Sequence, residues 1–302
     1  MTQTNVAATV LAGVLLAAAP VLAASSDTLR VLVTNDDGVA APGIDALVMA
    51  LTANPNLQVT VVAPATNQSG TGDNKTTAST LPVAASMTAG GYPATAVSGF
   101  PADAALFGIR QVLSATPPDL VVSGINLGQN YTGDIIPLSG TVGAAFWSAR
   151  LGIPAFAVSA SLSTPDYAGA AAYTATLVEQ FRASKGFRKK MLEKEVPFHG
   201  LVLNVNYPTC TTGSTVRGAR VVAVDRLTKI TGYTETPPSS GNWQPNATTG
   251  NYSASDCTSV LEEPETDLEA WNNGFVAVSP LDADRSVSGR KLKHFGFLEK
   301  LF

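Results

Sequence analysis

Histidine and cysteine are scarce in this chain of 302 residues, which contains two of each. His199 and His294 are too few for most histidine-based catalysis, and neither lies in a loop that follows a predicted strand. We therefore expect both histidines to be structural or exposed. Cys210 and Cys257 have no histidine nearby in the sequence and would make a poor zinc site.

Several common catalytic motifs are also missing. No G-x-S-x-G sequence is present, which counts against an esterase of the α/β-hydrolase kind. Neither a G-x-x-x-x-G-K-[ST] loop nor a G-x-G-x-x-G fingerprint follows a predicted strand. The usual nucleoside-triphosphate and dinucleotide sites are therefore excluded.

Charge is sparse as well, at 14% of the residues, whereas 45% are hydrophobic. This composition supplies enough apolar material for one large α/β domain or two small ones. The formal net charge of −4 offers no basic surface, so we expect no nucleic-acid partner.

Residues 1–24, which contain no Asp, Glu, Lys or Arg, predict a signal peptide from their apolar run and the small residues that follow it. The run 7–19 has the length of a signal-peptide apolar region, and the small residues after Pro20 fit cleavage after Ala23 or Ala24. The basic residues that usually precede such a run are absent. The run is short for a membrane span, and no other stretch is long enough. We expect a secreted protein, extracellular or periplasmic, with no membrane partner.

An even number of cysteines in a secreted protein favours a disulfide. Both cysteines lie in polar sequence, so we predict a bridge between Cys210 and Cys257. Five N-x-[ST] sequons matter only in a host that glycosylates; they lie at Asn67, Asn74, Asn130, Asn246 and Asn251.

Short apolar strands alternate with amphipathic helices through about residue 207. The predicted strands are 31–33, 57–63, 119–123, 154–159 and 201–205, and the predicted helices are 43–52, 101–113, 142–151 and 167–186. This alternation predicts an α/β fold with a Rossmann-like, mainly parallel sheet flanked by helices. Residues 78–96 are ambiguous and could form short antiparallel strands in an excursion from the sheet.

The sequence changes character after Pro208. Strands are predicted at 216–224 and 274–279, separated by a long polar stretch. A structureless loop of that length is uncommon in a compact domain, so we expect a β-hairpin arm there. We divide the mature chain into a catalytic core, 27–208, and a C-terminal extension, 209–302. Because such arms often pair with a second subunit, we expect a homodimer or a higher homo-oligomer.

The first predicted strand ends in Asn35-Asp36-Asp37-Gly38. Two adjacent carboxylates repel each other, and hard oxygen ligands favour Mg²⁺, Mn²⁺ or Ca²⁺ as their partner. Asp-Gly is also a common turn dipeptide, so a simple polar turn is the alternative.

Polar residues follow other predicted strands too: Ser69 follows the second and Asn126 the third. Ligands of open α/β sheets bind at the carboxyl ends of the strands, where these oxygens could join the two aspartates around one hard cation. Ser139-Gly140-Thr141 begins a predicted helix, whose backbone N–H groups suit a phosphate. Ser139 could equally be an ordinary helix N-cap.

Six segments carry a resemblance to a known family: VLVTNDDGVAAPGI at 31–44, NQSG at 67–70, PPDLVVSGINLGQN at 117–130, SGTVGAA at 139–145, LGIPAFAVS at 151–159 and LNVNYP at 203–208. They are spread in order across residues 30–208 and resemble the SurE family of survival proteins, which are metal-dependent 5′/3′-nucleotidases, with some acid phosphatases among their relatives. The resemblance implies a Rossmann-like core, a divalent metal, phosphomonoester hydrolysis and oligomers with exchanged C-terminal segments.

The resemblance also implies roles for individual residues. The implied metal ligands are the four oxygen donors already selected, Asp36, Asp37, Ser69 and Asn126. The implied phosphate contacts are Ser139, Gly140 and Thr141, with Asn35 and Gly38 lining the pocket. Leu138 stands where a tyrosine is common, 72–100 matches poorly, and 209–265 is unlike the bacterial members. These departures leave base specificity and oligomer geometry open.

The sequence thus predicts a secreted, metal-dependent phosphomonoesterase that acts on nucleoside monophosphates or similar small phosphate esters. A metal-activated water would attack phosphorus, and Asp36 or Asp37 would orient or deprotonate it. One alternative is a secreted phosphate-ester binding protein without turnover. Another is a metal-independent serine hydrolase that uses Ser139 or Ser69, although no strand-end histidine is available as its base.

Overall fold

The computed structural model describes residues 28–192, 201–211, 213–226, 230–247 and 255–283. The predicted signal peptide, both histidines and the sequon at Asn251 lie outside these residues. Within them, no helix is both long and apolar enough to cross a membrane.

A nine-stranded sheet forms the centre of the described chain, in the spatial order β3-β4-β2-β1-β5-β6-β7-β11-β8. Its strands are β1 Leu29–Thr34, β2 Leu57–Pro64, β3 Val83–Met87, β4 Pro93–Val97, β5 Leu120–Leu127, β6 Ala155–Ala160, β7 Leu201–Asn206, β8 Ala219–Val221 and β11 Val276–Asp282. The six neighbours from β4 to β7 are all parallel, whereas β3 pairs antiparallel with β4 and β11 pairs antiparallel with β7. The predicted α/β class with a mainly parallel sheet is confirmed.

Helices cover both faces of the sheet. They are α1 Pro42–Thr52, α2 Pro101–Phe107, α3 Thr132–Ile135, α4 Gly140–Arg150, α5 Tyr167–Ala183, α6 Lys185–Leu192 and α7 Asp267–Asn272. Val31 and Val33 pack with α1 and α5 on one face, while Leu32 packs with α2 and α4 on the other. Because β1 is buried on both faces, its sequence is a continuous apolar run that ends at the polar turn.

Several predicted boundaries are wrong. The hairpin of β3 and β4 joins the sheet edge through β2 and is no excursion. The helix predicted over 101–113 is α-helical only to Phe107 and continues as a π-helical turn, Gly108–Val112. The helix predicted over 167–186 ends at Ala183, because Ser184 adopts an extended conformation. The Ser184 hydroxyl then accepts the N–H of Phe187 and begins α6.

Two predicted strands also have different ends. The strand predicted over 119–123 continues to Leu127, so Asn126 lies inside β5 and not in the loop that follows it. The strand predicted over 216–224 shrinks to Ala219–Val221. It starts late because Gly218 has a φ of +105°, and it ends early because Ala223 pairs with Thr266 instead of continuing along β11.

The chain after Pro208 contributes to two separate sheets. Strands β9, Ile230–Glu235, and β10, Trp243–Ala247, form the antiparallel hairpin that the polar stretch predicted. Strands β8 and β11 join the central sheet, so one sheet spans both parts of the predicted division at residue 208. Cys210 and Cys257 are bonded in the structure, with their Cα atoms 5.5 Å apart.

Candidate metal and phosphate site

A tight turn directly after β1 carries both aspartates. The side-chain N–H of Asn35 donates to the carbonyl oxygen of Gly38 at 2.8 Å, which closes the turn. Gly38 has a φ of +103°, a conformation that favours glycine. The polar turn that the Asp-Gly dipeptide predicts is therefore present, and it presents the two carboxylates at the carboxyl edge of the sheet.

Asp36 is fixed against the start of α4. Only 2% of its surface is exposed, and its carboxylate accepts the Thr141 hydroxyl at 2.7 Å. Burial raises the pKa of Asp36, while hydrogen bonds from the Thr141 hydroxyl and from the backbone of Thr141 and Gly140 act in the opposite direction. A Cβ on Gly140 would lie 2.8 Å from the Cβ of Asp36, so the close approach requires glycine at this position.

Asp37 is less enclosed than Asp36. Its carboxylate accepts the backbone N–H of Leu127 at 2.8 Å and the side-chain N–H of Asn67 at 3.4 Å. Burial, and secondly the negative charge of Asp36, raise the pKa of Asp37 to about 6, against the opposing effect of the Leu127 N–H. Burial and the charge of Asp37 also raise the pKa of Tyr167 to about 12. A cation beside the two carboxylates would relieve this repulsion.

Two clefts meet at the aspartate pair. The first, which we call the Asp36 cleft, has a volume of about 200 Å³ and is bordered by Asp36, Ser69, Asn126 and Ser139 among others. The second, the Asp37 cleft, has a volume of about 330 Å³ and is bordered by Asp37, Gly38, Asn67 and Tyr167 among others. Leu127 borders both clefts.

The structure therefore brings most of the predicted site together, but not all of it in one cleft. Asp36, Ser69, Asn126 and Ser139 share the Asp36 cleft, and Asp37 opens on the other side of Leu127. Gly140 and Thr141 are buried behind Asp36, and the Thr141 hydroxyl donates to its carboxylate. Asn35 is fully buried beneath the turn, and its Oδ1 has no hydrogen-bond partner.

Ser139 is the N-cap of α4, as its alternative interpretation predicts. Its hydroxyl accepts the backbone N–H of Val142 at 3.1 Å. The same residue borders the Asp36 cleft, so the capped helix start faces the position where a substrate anion would lie.

Sequence reasoning missed a buried asparagine network beneath the Asp36 cleft. The backbone N–H of Asn130 donates to Asn206, and the side chains of Asn204 and Asn206 both donate to the carbonyl oxygen of Asn130. The Asn130 side chain donates in turn to the hydroxyl of Ser159. Two asparagines in the otherwise apolar segment LNVN of a central strand, Asn204 and Asn206, were the sequence feature that could have indicated this network. Because Asn130 is buried, its sequon is incompatible with a glycan in the folded chain.

The donor set fits a hard divalent cation. The described residues contain no group of three or more His, Cys, Asp or Glu side chains that could hold a metal ion, so a cation here would need oxygen donors besides carboxylates. Two carboxylates, the Ser69 hydroxyl and the Asn126 carbonyl provide oxygen only, and the Asn126 amide N–H is already bonded to the carbonyl of Gly128. Water and substrate oxygens would complete the coordination that Mg²⁺ or Mn²⁺ requires.

Comparison with known proteins gives one consistent result. A family model described as "Survival protein SurE" matches residues 31–230. The 5′-nucleotidase SurE of Symbiobacterium thermophilum is 36% identical over 256 residues, covering 84% of this chain and 92% of that protein. The 5′-nucleotidase SurE of Jannaschia sp. is 33% identical, covering 85% and 94%. The crystal structure of the SurE protein from Aquifex aeolicus is 29% identical, with a TM-score of 0.70 over 89% of this chain and 99% of that chain.

Proposed function

The chain belongs to the SurE family, and we propose that it is a metal-dependent phosphatase that hydrolyses nucleoside monophosphates. The observation that carries the proposal is the convergence of Asp36, Ser69, Asn126 and Ser139 on one cleft, with Asp37 adjacent. These residues lie far apart in the sequence, and a structural turn or helix cap alone would not require them to meet.

We assign the cation to Asp36, Asp37, Ser69 and Asn126, with Mg²⁺ or Mn²⁺ as the working metal and Ca²⁺ as a possible occupant in a structure. When bound, such a cation polarises phosphoryl oxygens and lowers the pKa of a coordinated water. The choice of metal rests on the oxygen-only donor set.

The two aspartates have different surroundings, which supports different roles. Asp36 is held by Thr141 and by the backbone at the start of α4, so it serves as a fixed anchor for the site. Asp37 is more open and borders its own cleft, where a water can reach it. We therefore assign Asp37 to orient the attacking water and accept its proton.

The start of α4 is the part of the chain suited to the substrate phosphate. The Ser139–Thr141 backbone is placed at the positive end of the helix dipole, which favours negative charge on the phosphoryl oxygens. Ser139 is the residue of this segment that borders the Asp36 cleft, so in the transition state the helix dipole would act on the equatorial oxygens from that position.

The function is tested by following phosphate release from p-nitrophenyl phosphate and from nucleoside monophosphates, with Mg²⁺, Mn²⁺, Ca²⁺ or EDTA. We expect activity that EDTA abolishes and that added metal restores. Asp36→Asn and Asp37→Asn should each lower kcat/KM at least about 100-fold while the protein stays folded.

Each alternative predicts a different result in the same assays. Full, EDTA-insensitive activity in the Asp36→Asn and Asp37→Asn variants would overturn the proposal. Saturable binding of a nucleoside monophosphate without phosphate release would identify a binding protein. Covalent labelling of Ser69 or Ser139 by an organophosphate would identify a serine hydrolase.

We also propose export, a structural disulfide and a homodimer. N-terminal sequencing of the exported protein should begin after Ala23 or Ala24. Mass spectrometry without reduction should find Cys210 joined to Cys257. Light scattering should give at least twice the chain mass. The β9–β10 hairpin carries the exposed residues Tyr233 and Trp243, so deletion of the hairpin should lower the measured mass of the oligomer.

A further inference from the structure

Exposed leucines are concentrated around the Asp36 cleft. Four leucines of the described chain are largely exposed, and three of them are Leu127, Leu138 and Leu162, at 42%, 57% and 56%. Leu127 and Leu138 border the cleft directly. The Leu162 side chain lies over Gly128, which also borders the cleft: a Cβ on Gly128 would be 3.4 Å from its Cδ1. We call these three residues the leucine shelf.

The shelf is built on backbone that hydrogen bonds hold in place. The N–H of Leu127 donates to Asp37 at 2.8 Å, and the N–H of Leu162 donates to Gln129 at 3.2 Å. The carbonyl oxygen of Leu138 accepts the N–H of Gly72 at 2.9 Å. The three side chains are thus exposed on a fixed surface, which is the arrangement expected of a binding surface and not of a loose loop tip.

The polar residues nearest the shelf are already used within the protein. Gln129 bonds the Tyr131 hydroxyl and the Leu162 N–H, and Asn130 belongs to the buried asparagine network. Among the residues that the structure describes, Asp36 is the only ionisable one that borders the cleft. Away from its metal and phosphate end, the cleft therefore offers a ligand mainly apolar contact.

We propose that Leu127, Leu138 and Leu162 are specificity-determining residues that bind the aromatic ring of the leaving group, the base of a nucleoside monophosphate. This inference rests on the proposed function. Leu138 immediately precedes Ser139, so the shelf begins beside the helix start assigned to the phosphate. Burial of a flat ring against leucine side chains supplies binding free energy that an aliphatic alcohol cannot obtain.

The Asp37 cleft is the less suitable place for the leaving group. Each cleft borders one of the two aspartates, so the choice between the clefts rests on the direction of attack. An in-line attack by a water held at Asp37 places the leaving group on the opposite side of phosphorus, away from Asp37. The leucine shelf lies along the other cleft, in keeping with that direction.

The test compares Leu138→Ala and Leu162→Ala with Leu192→Ala, since Leu192 is also exposed, at 39%, and borders neither cleft. AMP and UMP provide aromatic leaving groups, glycerol 2-phosphate an aliphatic one, and inorganic phosphate a competitive inhibitor without a leaving group. We expect each shelf variant to raise KM for the nucleotides about 5- to 30-fold with little change in kcat. KM for glycerol 2-phosphate, Ki for phosphate and all constants of Leu192→Ala should stay within about twofold.

Two results would overturn the inference while leaving the phosphatase intact. One is an equal rise of KM for nucleotides and glycerol 2-phosphate in the shelf variants. The other is unchanged nucleotide KM in the shelf variants together with a raised KM in Tyr167→Ala, which would move the leaving group to the Asp37 cleft. If no ester is hydrolysed with any metal, the proposed function fails separately. Calorimetric titration with AMP then tests whether the leucine shelf binds the base. The inference predicts the same loss of affinity, about 5- to 30-fold, in Leu138→Ala and none in Leu192→Ala.

Discussion

The two adjacent aspartates differ because of what each one contacts. Asp36 points into the start of α4, where the Thr141 hydroxyl holds it, whereas Asp37 bonds Leu127 and Asn67 near solvent. Two like residues in consecutive positions thus become an anchored carboxylate and an accessible one. The division of roles that we propose follows from this difference in surroundings, because the Asp-Asp dipeptide by itself would not distinguish its two residues.

Gly140→Ala tests the close contact between α4 and Asp36. The added Cβ would lie 2.8 Å from the Asp36 Cβ and 2.9 Å from Pro101, so we expect a loss of about 1–3 kcal/mol in the free energy of unfolding. Activity should fall because Asp36 is displaced. Gly186→Ala in α6 is the matched control: its Cβ meets only Ser184, at 3.8 Å, and should be neutral or stabilising by up to about 1 kcal/mol. Chemical denaturation and phosphate release measure both variants, and equal stabilities would contradict the contact.

The raised pKa of Asp37 predicts a pH dependence of stability in EDTA. Because the pKa is about 6 in the folded chain and about 3.9 in an unfolded one, protonation of Asp37 favours the fold. This contribution is complete below the unfolded pKa and is lost as the pH rises through about 6. Tm should therefore fall from pH 5 to pH 7.5 more steeply in the wild type than in Asp37→Asn. Added Mg²⁺ should raise Tm at pH 7.5, and identical slopes for the two proteins would refute the assignment.

The elements place the site by approaching one another closely. The start of α1 lies directly on β5, since a Cβ on Gly43 would overlap the carbonyl oxygen of Ile125. Strand β5 continues to Leu127 and so carries Asn126 to the same edge as the turn after β1. The segment from Asn130 to Ser139, which forms the far wall of the Asp36 cleft, is held from below by the asparagines of β7.

Asp267, at the start of α7, holds the same wall from the C-terminal part of the chain. This fully buried carboxylate accepts the backbone N–H groups of Thr132, Asp225 and Leu268 at 3.1, 2.9 and 2.8 Å. Asp267→Ala would remove the acceptor of one buried and two partly buried backbone N–H groups, so we expect a loss of about 2–4 kcal/mol. Asp267→Asn keeps the shape and one acceptor oxygen and should cost less. Urea denaturation measures both, and a loss below about 1 kcal/mol in Asp267→Ala would show that water replaces the carboxylate.

At the scale of the whole molecule, the C-terminal part is integrated with the core. Strand β11 pairs antiparallel with β7 and carries β8 at the sheet edge. Trp271 of α7 is fully buried against Tyr131, with ring centroids 5.6 Å apart. Residues beyond 208 therefore support the wall of the Asp36 cleft in the same chain. They also provide the β9–β10 hairpin that we assign to oligomerisation.

The Cys210–Cys257 bond should stabilise this arrangement. It joins residues separated by 47 positions and so restricts the unfolded chain, which typically contributes about 2–4 kcal/mol. We expect Cys210→Ser/Cys257→Ser to lose that amount and to become insensitive to dithiothreitol, whereas the wild type should lose stability on reduction. Denaturation with and without reductant measures both, and a wild type indifferent to reductant would contradict the prediction.

Local sequence determined the class of fold and the chemistry of the site. The alternation of apolar strands and amphipathic helices is a short-range periodicity, so it predicted the mainly parallel sheet. The polar residues at Asp36, Asp37 and Ser69 interrupt or follow such runs, and the topology of parallel strands places their carboxyl ends at one edge. Asn126 likewise follows the apolar run of the third predicted strand, although β5 extends past it to Leu127.

The tertiary structure alone decided which residues face which cleft. Thr141 reaches Asp36 across 105 positions and Asp267 reaches Thr132 across 135; such contacts depend on register and helix placement, which no local pattern encodes. The same is true of the leucine shelf, because an exposed leucine and a buried one look alike in a sequence. The oxygen-bearing side chains were thus identifiable from the sequence, whereas long-range packing divided them between two clefts and gave one cleft its apolar wall.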